Sequence, residues 1–420
     1  MKNLRAIILL FLANTISGMA QGISMLAIPW YFARAGDMDK FVIVYLLTNV
    51  VSFIWVPFAG VITDRFDRRK IFLVISITGG IILGSIALAG HLLDGLPWLV
   101  VASAFVLTFF NYNIHYPNLY AFVQEITEPE HYGRITSALE IQGQVTTMLA
   151  GAGAAMLLEG TINGHLNIFG VLVRVPFDVE AWTIYEIFTL DSATYFLALL
   201  VIFAIQYVPL ISRRGEVGTM ISRLRTGLNY LRTHKYVTIF GIASYAVFVV
   251  ILIEGFYLGP LYVSDHLMAS GDVFAASEMY YALGAIMAGF VILRIFRGKS
   301  GIAGIIGLTI GCAAVCLILA FTNSVILFYF ALLMLGLTNA GTRVLRVNVL
   351  FRVIPNELYG RTNSIFNMTN IALRIVFLSL FALPFFLTGN NVIYAMGILA
   401  VFLVVATAVL LRYYRKFVDY

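Results

Sequence analysis

The sequence has very little charge for its length. Of its 420 residues, only 11% are Asp, Glu, Lys or Arg, whereas 61% are hydrophobic. Soluble domains carry about 25% charged residues, because their surfaces face water. The shortage of charge therefore excludes a soluble enzyme, a nucleic-acid-binding protein and a disordered scaffold.

Cysteine is equally scarce. The two cysteines, Cys312 and Cys316, lie one helical turn apart in an apolar run. This spacing fits neither a disulfide framework nor a metal site. The loops also lack a phosphate-binding pattern and a nucleophile with a neighbouring base. We therefore expect no metal, no cofactor and no enzymatic activity.

Long apolar runs dominate what remains. A helix that crosses a bilayer needs about 20 mostly apolar residues. Short polar breaks separate the runs and are rich in Gly, Pro or charged residues. The pattern predicts an all-α integral membrane protein with twelve transmembrane helices. The predicted spans are 4–33, 41–62, 71–92, 97–122, 135–160, 183–208, 236–262, 274–296, 301–321, 325–348, 362–388 and 391–411.

The distribution of positive charge predicts the orientation. Membrane proteins concentrate Lys and Arg in their cytoplasmic loops. With the N-terminus inside, only Arg34, Lys40 and Arg174 of the 27 Lys and Arg residues fall outside, and Arg374 lies within a span. Both termini are therefore predicted to be cytoplasmic. The net charge of +6 reflects topology and does not indicate a nucleic-acid partner.

A short repeat divides the chain into halves. Tyr-Gly-Arg follows the fourth predicted span, at 132–134, and the tenth, at 359–361. The matching positions predict two related sets of six spans, an arrangement typical of a large class of transporters. The predicted domains are a bundle at 1–208, a basic cytoplasmic connector at 209–235 and a second bundle at 236–420.

The loop after the second span carries the clearest motif. It reads Gly60-Val61-Ile62-Thr63-Asp64-Arg65-Phe66-Asp67-Arg68-Arg69-Lys70. This sequence resembles the Gly-x-x-x-Asp-Arg-x-x-Arg-Arg-Lys loop of the major facilitator superfamily. The connector and the stretch from Pro355 to Arg361 look most like the drug–proton antiporter branch that includes macrolide and siderophore exporters.

The resemblance implies a secondary transporter that alternates access between two pseudo-symmetric six-helix bundles. It implies a monomer in the lipid bilayer of a bacterial cytoplasmic membrane, exporting a hydrophobic or amphipathic small molecule in exchange for protons. The fifth span lacks the proline of many antiporters, and the fourth lacks their arginine. Three readings stay open: proton-coupled efflux, movement of a lipid-like or anionic solute, and a transport-inactive sensor.

The motif loop is implied to act as a conformational latch. Gly60 is expected to permit close helix approach. Asp64 is expected to pair with loop arginines and with the N-terminus of the eleventh helix, where the helix dipole favours a carboxylate. The implied latch residues are Gly60, Asp64, Arg65, Arg68, Arg69, Lys70, Arg134 and Arg361.

Acidic residues inside the spans are candidates for proton coupling. An ionisable group in a bilayer is costly and marks a functional site by default. Asp191 and Glu254 are the first candidates, and Glu140 is the third. Asp191 or Glu254 could instead be a static partner of Arg374. Glu140 is expected to meet Arg294 or Arg297 at the inner end of the eighth helix.

Polar stripes predict the substrate cavity. In the resembled family, helices 1, 4, 7 and 10 line a central cavity, and polar residues recur there at helical spacing beside aromatic ones. Such residues could equally form hydrogen bonds between helices. The candidate cavity residues are Asn14, Gln21, Asn111, His115, Tyr245, Asn339, Arg343 and Arg374. Arg343, Arg346 and Arg374 favour the anionic-solute reading.

Overall fold

The computed structural model describes residues 2–161, 165–168, 171–174, 178–210, 220–296 and 300–418. Its helices are α1 (Leu4–Arg34), α2 (Met38–Arg65), α3 (Arg68–Leu93), α4 (Trp98–Ile126), α5 (Tyr132–Glu159), α6 (Ile184–Phe203), α7 (Met220–Thr233), α8 (Lys235–Ser244), α9 (Ala246–Ile253), α10 (Gly259–Leu261), α11 (Gly271–Ile295), α12 (Gly301–Phe321), α13 (Val325–Val353), α14 (Asn356–Phe381), α15 (Pro384–Leu387), α16 (Val392–Arg412) and α17 (Tyr414–Val418). Two π-helical turns, Glu254–Leu258 and Tyr262–His266, flank α10. A short 3₁₀ turn, Pro129–His131, precedes α5.

Every predicted span has a helical counterpart. In the described part of the chain, 11 helical stretches are long and apolar enough to cross a membrane, and one of them is the continuous run Lys235–His266. The fifth predicted span corresponds to α5, which is 28 residues long but carries Glu140, Gln142 and Gln144. Its polar residues explain why it falls outside the 11. The predicted all-α membrane fold is confirmed.

The hairpin between α5 and α6 was not predicted from the sequence. Strand β1 (His165–Ile168) pairs antiparallel with β2 (Val171–Arg174), and His165 lies opposite Arg174.

Contacts divide the chain into two units. The first comprises Met1–Phe32 and Ile54–Val217, and the second comprises Ala33–Phe53 and Gly218–Tyr420. The first part of α2 therefore belongs to the second unit, although the sequence-based boundary at 208 assigned all of α2 to the first bundle. Tyr45 shows the reason, because its hydroxyl donates a hydrogen bond of 2.8 Å to the Leu252 carbonyl.

Small residues bring α3 against α6 in the first unit. A Cβ on Gly90 would lie 2.3 Å from the Cβ of Tyr185, and one on Gly84 would lie 2.8 Å from the Ser192 hydroxyl oxygen. The Ser192 hydroxyl donates a 2.8 Å hydrogen bond to the Gly80 carbonyl. Glycine on α3 therefore allows α6 to approach its backbone, as small residues do between membrane helices.

Glycine has the same effect between α11 and α13 in the second unit. A Cβ on Gly284 would lie 1.9 Å from the Leu333 carbonyl oxygen. A Cβ on Gly336 would lie 1.9 Å from the Tyr281 carbonyl oxygen. The two backbones are therefore in direct contact at two reciprocal points, and neither position has room for a side chain.

This contact predicts a stability difference between two glycines of α11. Gly284→Ala should lower the unfolding free energy by about 1–3 kcal/mol or more, because the new methyl group overlaps backbone atoms that cannot move away easily. Gly289→Ala is the matched control, since nothing described lies within 4 Å of its Cβ position. Alanine there gains up to about 1 kcal/mol of helix propensity. Thermal unfolding of the purified variants tests the difference, and equal midpoints would show that α13 can shift to accommodate the methyl group.

Candidate functional site

The motif loop is tied to its own unit by Arg68. Its Nη1 forms a 2.7 Å ion pair with Oε2 of Glu125, which is 1% exposed. The same Nη1 donates a 2.9 Å hydrogen bond to the Ala121 carbonyl. Asn118 donates a 2.9 Å hydrogen bond to the Arg68 carbonyl. These bonds fix the start of α3 on the last two turns of α4.

Arg69 and Asp67 fasten the same loop to other partners. Arg69 donates hydrogen bonds to the carbonyls of Ile202 and Phe203, which satisfy the exposed carbonyl end of α6. Asp67 caps α3 by accepting a 2.9 Å hydrogen bond from the Lys70 backbone nitrogen. The loop therefore joins the ends of three helices.

The remaining latch candidates are not brought together in this way. The Arg65, Lys70 and Arg134 side chains are exposed, and Arg361 is half-buried. A Cβ on Gly60 would meet no described atom within 4 Å, so the close helix approach expected there is not seen. The Asp64 side chain lies outside the described residues, and its latch role stays a prediction.

A chain of polar side chains crosses the first unit from α4 to α5 through α1. His115 Nε2 lies 2.8 Å from Asn14 Oδ1, and Asn14 Nδ2 donates a 3.4 Å hydrogen bond to Gln142 Oε1. Gln142 Nε2 in turn donates to the Thr15 hydroxyl at 2.5 Å. With the amide oriented in this way, His115 Nε2 carries the hydrogen. The sequence analysis did not select Gln142.

A small cavity adjoins this chain. Its polar lining comes from Asn14, Ser17, Ser76, His115 and Tyr195. Its volume of about 10 Å³ is close to the space that one water molecule needs. The cavity is therefore wide enough for a bridging water.

The two other cavity candidates in this unit lie close to Tyr195 of α6. Gln21 donates a 3.3 Å hydrogen bond to the Tyr195 hydroxyl. Asn111 is buried, and its amide nitrogen would lie 3.2 Å from a Cβ on Gly79. All four cavity candidates of this unit are thus close to Tyr195 or to the His115 chain.

Asp191 is the most deeply buried of the acids that the structure describes in the first unit. Its exposed fraction is 0%, and neither carboxylate oxygen has a hydrogen-bond partner within 3.5 Å among the described residues. Ser24 on α1 and Tyr195, one turn farther along α6, interact with it electrostatically. No described Lys or Arg forms an ion pair with Asp191.

Glu140 has a different environment. Its carboxylate accepts a short hydrogen bond from the Tyr120 hydroxyl on α4. Arg297 lies outside the described residues, and the pairing of Glu140 with Arg294 or Arg297 stays a prediction.

An arginine of α13 organises the second unit near α8. Arg346 is 5% exposed, lies 3.6 Å above the centre of the Tyr245 ring and donates a 3.0 Å hydrogen bond to the Ser244 carbonyl. The Tyr245 hydroxyl donates a 2.8 Å hydrogen bond to Asn363 Oδ1 on α14. A cation held over an aromatic face is stabilised by the ring quadrupole. The Tyr245 ring therefore offsets part of the free-energy cost of burying the Arg346 charge.

Arg374 is buried, and no acid that the structure describes forms an ion pair with it. It is 5% exposed, and its Nε and Nη1 atoms have no hydrogen-bond partner among the described residues. The Tyr45 hydroxyl interacts with the guanidinium electrostatically. Glu254, which is also in this unit, forms no ion pair with Arg374, so the static pair that the sequence left open between them is not seen.

Glu254 begins the first π-helical turn and is 3% exposed. Glu278 of α11 interacts with it electrostatically. The sequence analysis missed Glu278, because the predicted span began at 274 and left this residue about one turn from the membrane surface. The helix begins at Gly271 instead, so Glu278 lies two turns inside it.

Two further candidates lie on α13. Asn339 donates a 2.6 Å hydrogen bond to the Tyr281 hydroxyl on α11. The Arg343 side chain, one turn later, is exposed.

Comparison with known proteins decides the family. Residues 10–377 match the sequence profile of the Major Facilitator Superfamily. The chain belongs to this superfamily. It is a multi-pass membrane transporter and not an enzyme. No curated protein matches the chain in a sequence comparison.

Solved structures of superfamily transporters share its fold. The nucleoside transporter NupG is 11% identical, with a TM-score of 0.69 over 97% of this chain and 99% of that one. A bacterial homologue of the iron transporter ferroportin, in an inward-facing state, is 16% identical, with a TM-score of 0.68 over 98% and 99%. A D-xylose–proton symporter is 13% identical, with a TM-score of 0.67 over 96% and 97%. At these identities the likeness concerns the fold.

The Arg68–Glu125 pair predicts a large stability effect. Glu125→Gln should cost about 3–5 kcal/mol of unfolding free energy, because removing one member of a buried pair leaves the other charge uncompensated. Glu130→Gln is the matched control, since the Glu130 side chain is 76% exposed. Thermal unfolding of both variants gives the comparison.

A double-mutant cycle with Arg68→Gln distinguishes loss of the Arg68–Glu125 ion pair from a general destabilisation of the loop. The double variant should lose less stability than the sum of the single variants, because each single change already breaks the same bond. Strict additivity would mean that the two residues do not stabilise each other.

Proposed function

We propose that this transporter couples proton movement to the efflux of a hydrophobic or amphipathic small molecule. The burial of Asp191 carries the proposal. An acid with no ion pair or hydrogen bond to a described residue is expensive to keep ionised within a membrane span, and such residues form the proton relays of pumps and transporters. Glu254 supports the proposal in the second unit.

The substrate class rests on the mixture of polar and aromatic side chains. Around the His115–Asn14 chain, Phe72 packs edge-on against the imidazole at 5.0 Å and Tyr116 lies at 5.7 Å. Convergent polar groups within apolar walls are typical of sites for small amphipathic molecules. The outward direction rests on the resemblance to macrolide and siderophore exporters.

The latch remains part of the proposal. Asp64, Arg65, Lys70, Arg134 and Arg361 are proposed to close the cytoplasmic side in one state of the cycle. Arg68 and Arg69 have the supporting role of holding the loop in place, because their bonds described above lie within one unit. The orientation with both termini in the cytoplasm of a bacterium, and a monomeric state, belong to the same proposal.

Proton coupling predicts a loss of flux in two variants. Proteoliposomes with an imposed pH gradient would be screened with lipophilic cations, macrolides, siderophores and lysolipids, and the internal pH followed. Wild-type protein should move protons only when a substrate is added. Asp191→Asn or Glu254→Gln should reduce this flux to the level of protein-free vesicles, whereas the exposed Glu130→Gln should leave it unchanged. Substrate movement that persists without any proton flux would contradict the proposal.

A second function, movement of a lipid-like or anionic solute, is favoured by Arg374. A buried guanidinium with two nitrogens free of described hydrogen-bond partners could bind a carboxylate or phosphate group. Arg374→Gln should then abolish uptake of an anionic lysolipid into proteoliposomes without a pH gradient. Arg412→Gln, at the exposed end of α16, is the control. Equal uptake by wild type and Arg374→Gln would remove this alternative.

A further inference from the structure

One face of α7 combines exposed arginines with exposed apolar side chains. Ile221, Arg225, Leu228 and Arg232 follow one another at i, i+4, i+7 and i+11, which places them along one side of the helix. Ile221 is 74% exposed and Leu228 is 39% exposed. Both arginine side chains are exposed as well. We call these four residues the outer face of α7.

The opposite face of α7 fixes the helix against the ends of two spans. A Cβ on Gly227 would lie 2.9 Å from the Arg361 carbonyl oxygen, in the second turn of α14. The Tyr230 hydroxyl donates a 3.2 Å hydrogen bond to the carbonyl of Val353, the last residue of α13. Leu231 is 3% exposed. The helix α7 therefore lies at the level where α13 ends and α14 begins.

The ends of these spans mark a membrane surface. The stretches long and apolar enough to cross a membrane include Val325–Val353 and Leu358–Phe381, and the short connection between them lies outside both. A third such stretch begins at Lys235, two residues after the end of α7. Phospholipid headgroups lie where the apolar part of a span ends. The contacts of α7 with these span ends therefore place it at the depth of the headgroups.

The charge of α7 is entirely positive. Its sequence contains Arg223, Arg225 and Arg232 but no Asp or Glu, and the exposed Lys235 follows it closely. Arg225 and Arg232 form no hydrogen bond or ion pair with a residue that the structure describes. Basic residues on an amphipathic helix at a membrane surface are attracted to anionic phospholipids, and each strengthens binding roughly fivefold.

We infer that the outer face of α7 binds the headgroups of anionic phospholipids. Arg225 and Arg232 contact the lipid phosphates through charge-assisted hydrogen bonds. Ile221 and Leu228 enter the boundary between headgroups and acyl chains, as the apolar side chains of interfacial helices do. A soluble acidic partner would match the charge equally well, but the depth of α7 favours the headgroups.

Quenching by spin-labelled lipids tests the inference without a substrate. Asn229→Cys provides an exposed position for a fluorophore beside the outer face, whereas Cys312 and Cys316 are 0% and 1% exposed and stay unlabelled. The full-length protein would be reconstituted in phosphatidylcholine vesicles that contain either phosphatidylglycerol or phosphatidylcholine with a nitroxide near the headgroup. The ratio of quenching by the two lipids at equal content gives the local preference for the anionic one. It should be about tenfold or more, because two arginines contribute.

Substitutions of the two arginines test the contact itself. Arg225→Gln and Arg232→Gln should each lower the preference about fivefold, whereas Arg225→Lys should keep most of it because the charge remains. Salt at about 1 M should weaken the preference, because the Debye length falls to about 3 Å. Arg412→Gln and Arg415→Gln are the matched controls. They remove exposed arginines from α16 and α17 and should leave the preference at α7 unchanged.

Three outcomes would overturn the inference. Equal quenching by the two lipids in the protein with all its arginines would show that α7 has no preference for anionic headgroups. An equal loss of preference in the Arg412→Gln protein would show that the preference comes from the charge of the whole protein. A fluorophore that neither lipid quenches would show that the outer face is turned to water, in favour of a soluble acidic partner. Thermal unfolding midpoints show that each variant is folded, and lipid binding is measured independently of the proposed function.

Discussion

The cost of placing charge in a membrane governs how this chain uses its few ionisable residues. Within the hydrocarbon region no water is available to solvate a charge. The protein must therefore place an interacting group beside each charged side chain, or the side chain must become neutral by gaining or losing a proton. Just outside the predicted spans, the buried Glu125 meets the same cost and forms a 2.7 Å ion pair with Arg68. Arg346 meets it with an aromatic ring and a backbone carbonyl. In both cases the contact also joins two different helices.

Asp191, Glu254 and Arg374 are different, because no described partner neutralises them. A protein that needed only stability would gain from replacing them with apolar residues, since burying unpaired polar groups is unfavourable. Their presence is easier to explain if each of them binds a partner during only part of the transport cycle. A proton is such a partner for the two acids, and an anionic group is one for the arginine. The same physical argument thus separates residues that hold the fold from residues proposed to work during transport.

The fold could be predicted from the sequence because the length of each apolar run is a strong and local signal for a membrane-spanning helix. The helix α12 begins and ends at the predicted residues, Gly301 and Phe321. The grouping of 33–53 with the second unit could not be predicted, because it depends on contacts such as that of Tyr45 with Leu252. The hairpin at 165–174 was missed for the opposite reason, since four-residue strands carry little periodicity.

The site was predictable as a set of residues but not as a set of contacts. His115 and Asn14 were both selected from polar stripes, and the structure joins them. Gln142 completes their chain, although it was not among the residues selected from the sequence. Glu278 was overlooked because a shift of three residues in a helix start changes the depth of every residue after it by about 5 Å. Depth errors of this size decide whether a carboxyl group is read as surface or as buried.

The two units place their buried acids in different kinds of backbone. Asp191 lies in the regular helix α6, where its position is fixed by the close contact with α3. Glu254 lies where the helix changes to a π turn, a feature that is rare and often found at functional sites. A π turn pairs backbone groups five residues apart instead of four, so a local change of that pairing toward α-helical geometry reorients the side chains that the turn carries. An acid on such a turn can change its exposure without moving the whole helix, whereas Asp191 can change its surroundings only if α1 or α6 moves. Of the two acids, Glu254 is therefore the one whose protonation is suited to a local step of the cycle, and Asp191 the one suited to a step in which whole helices rearrange.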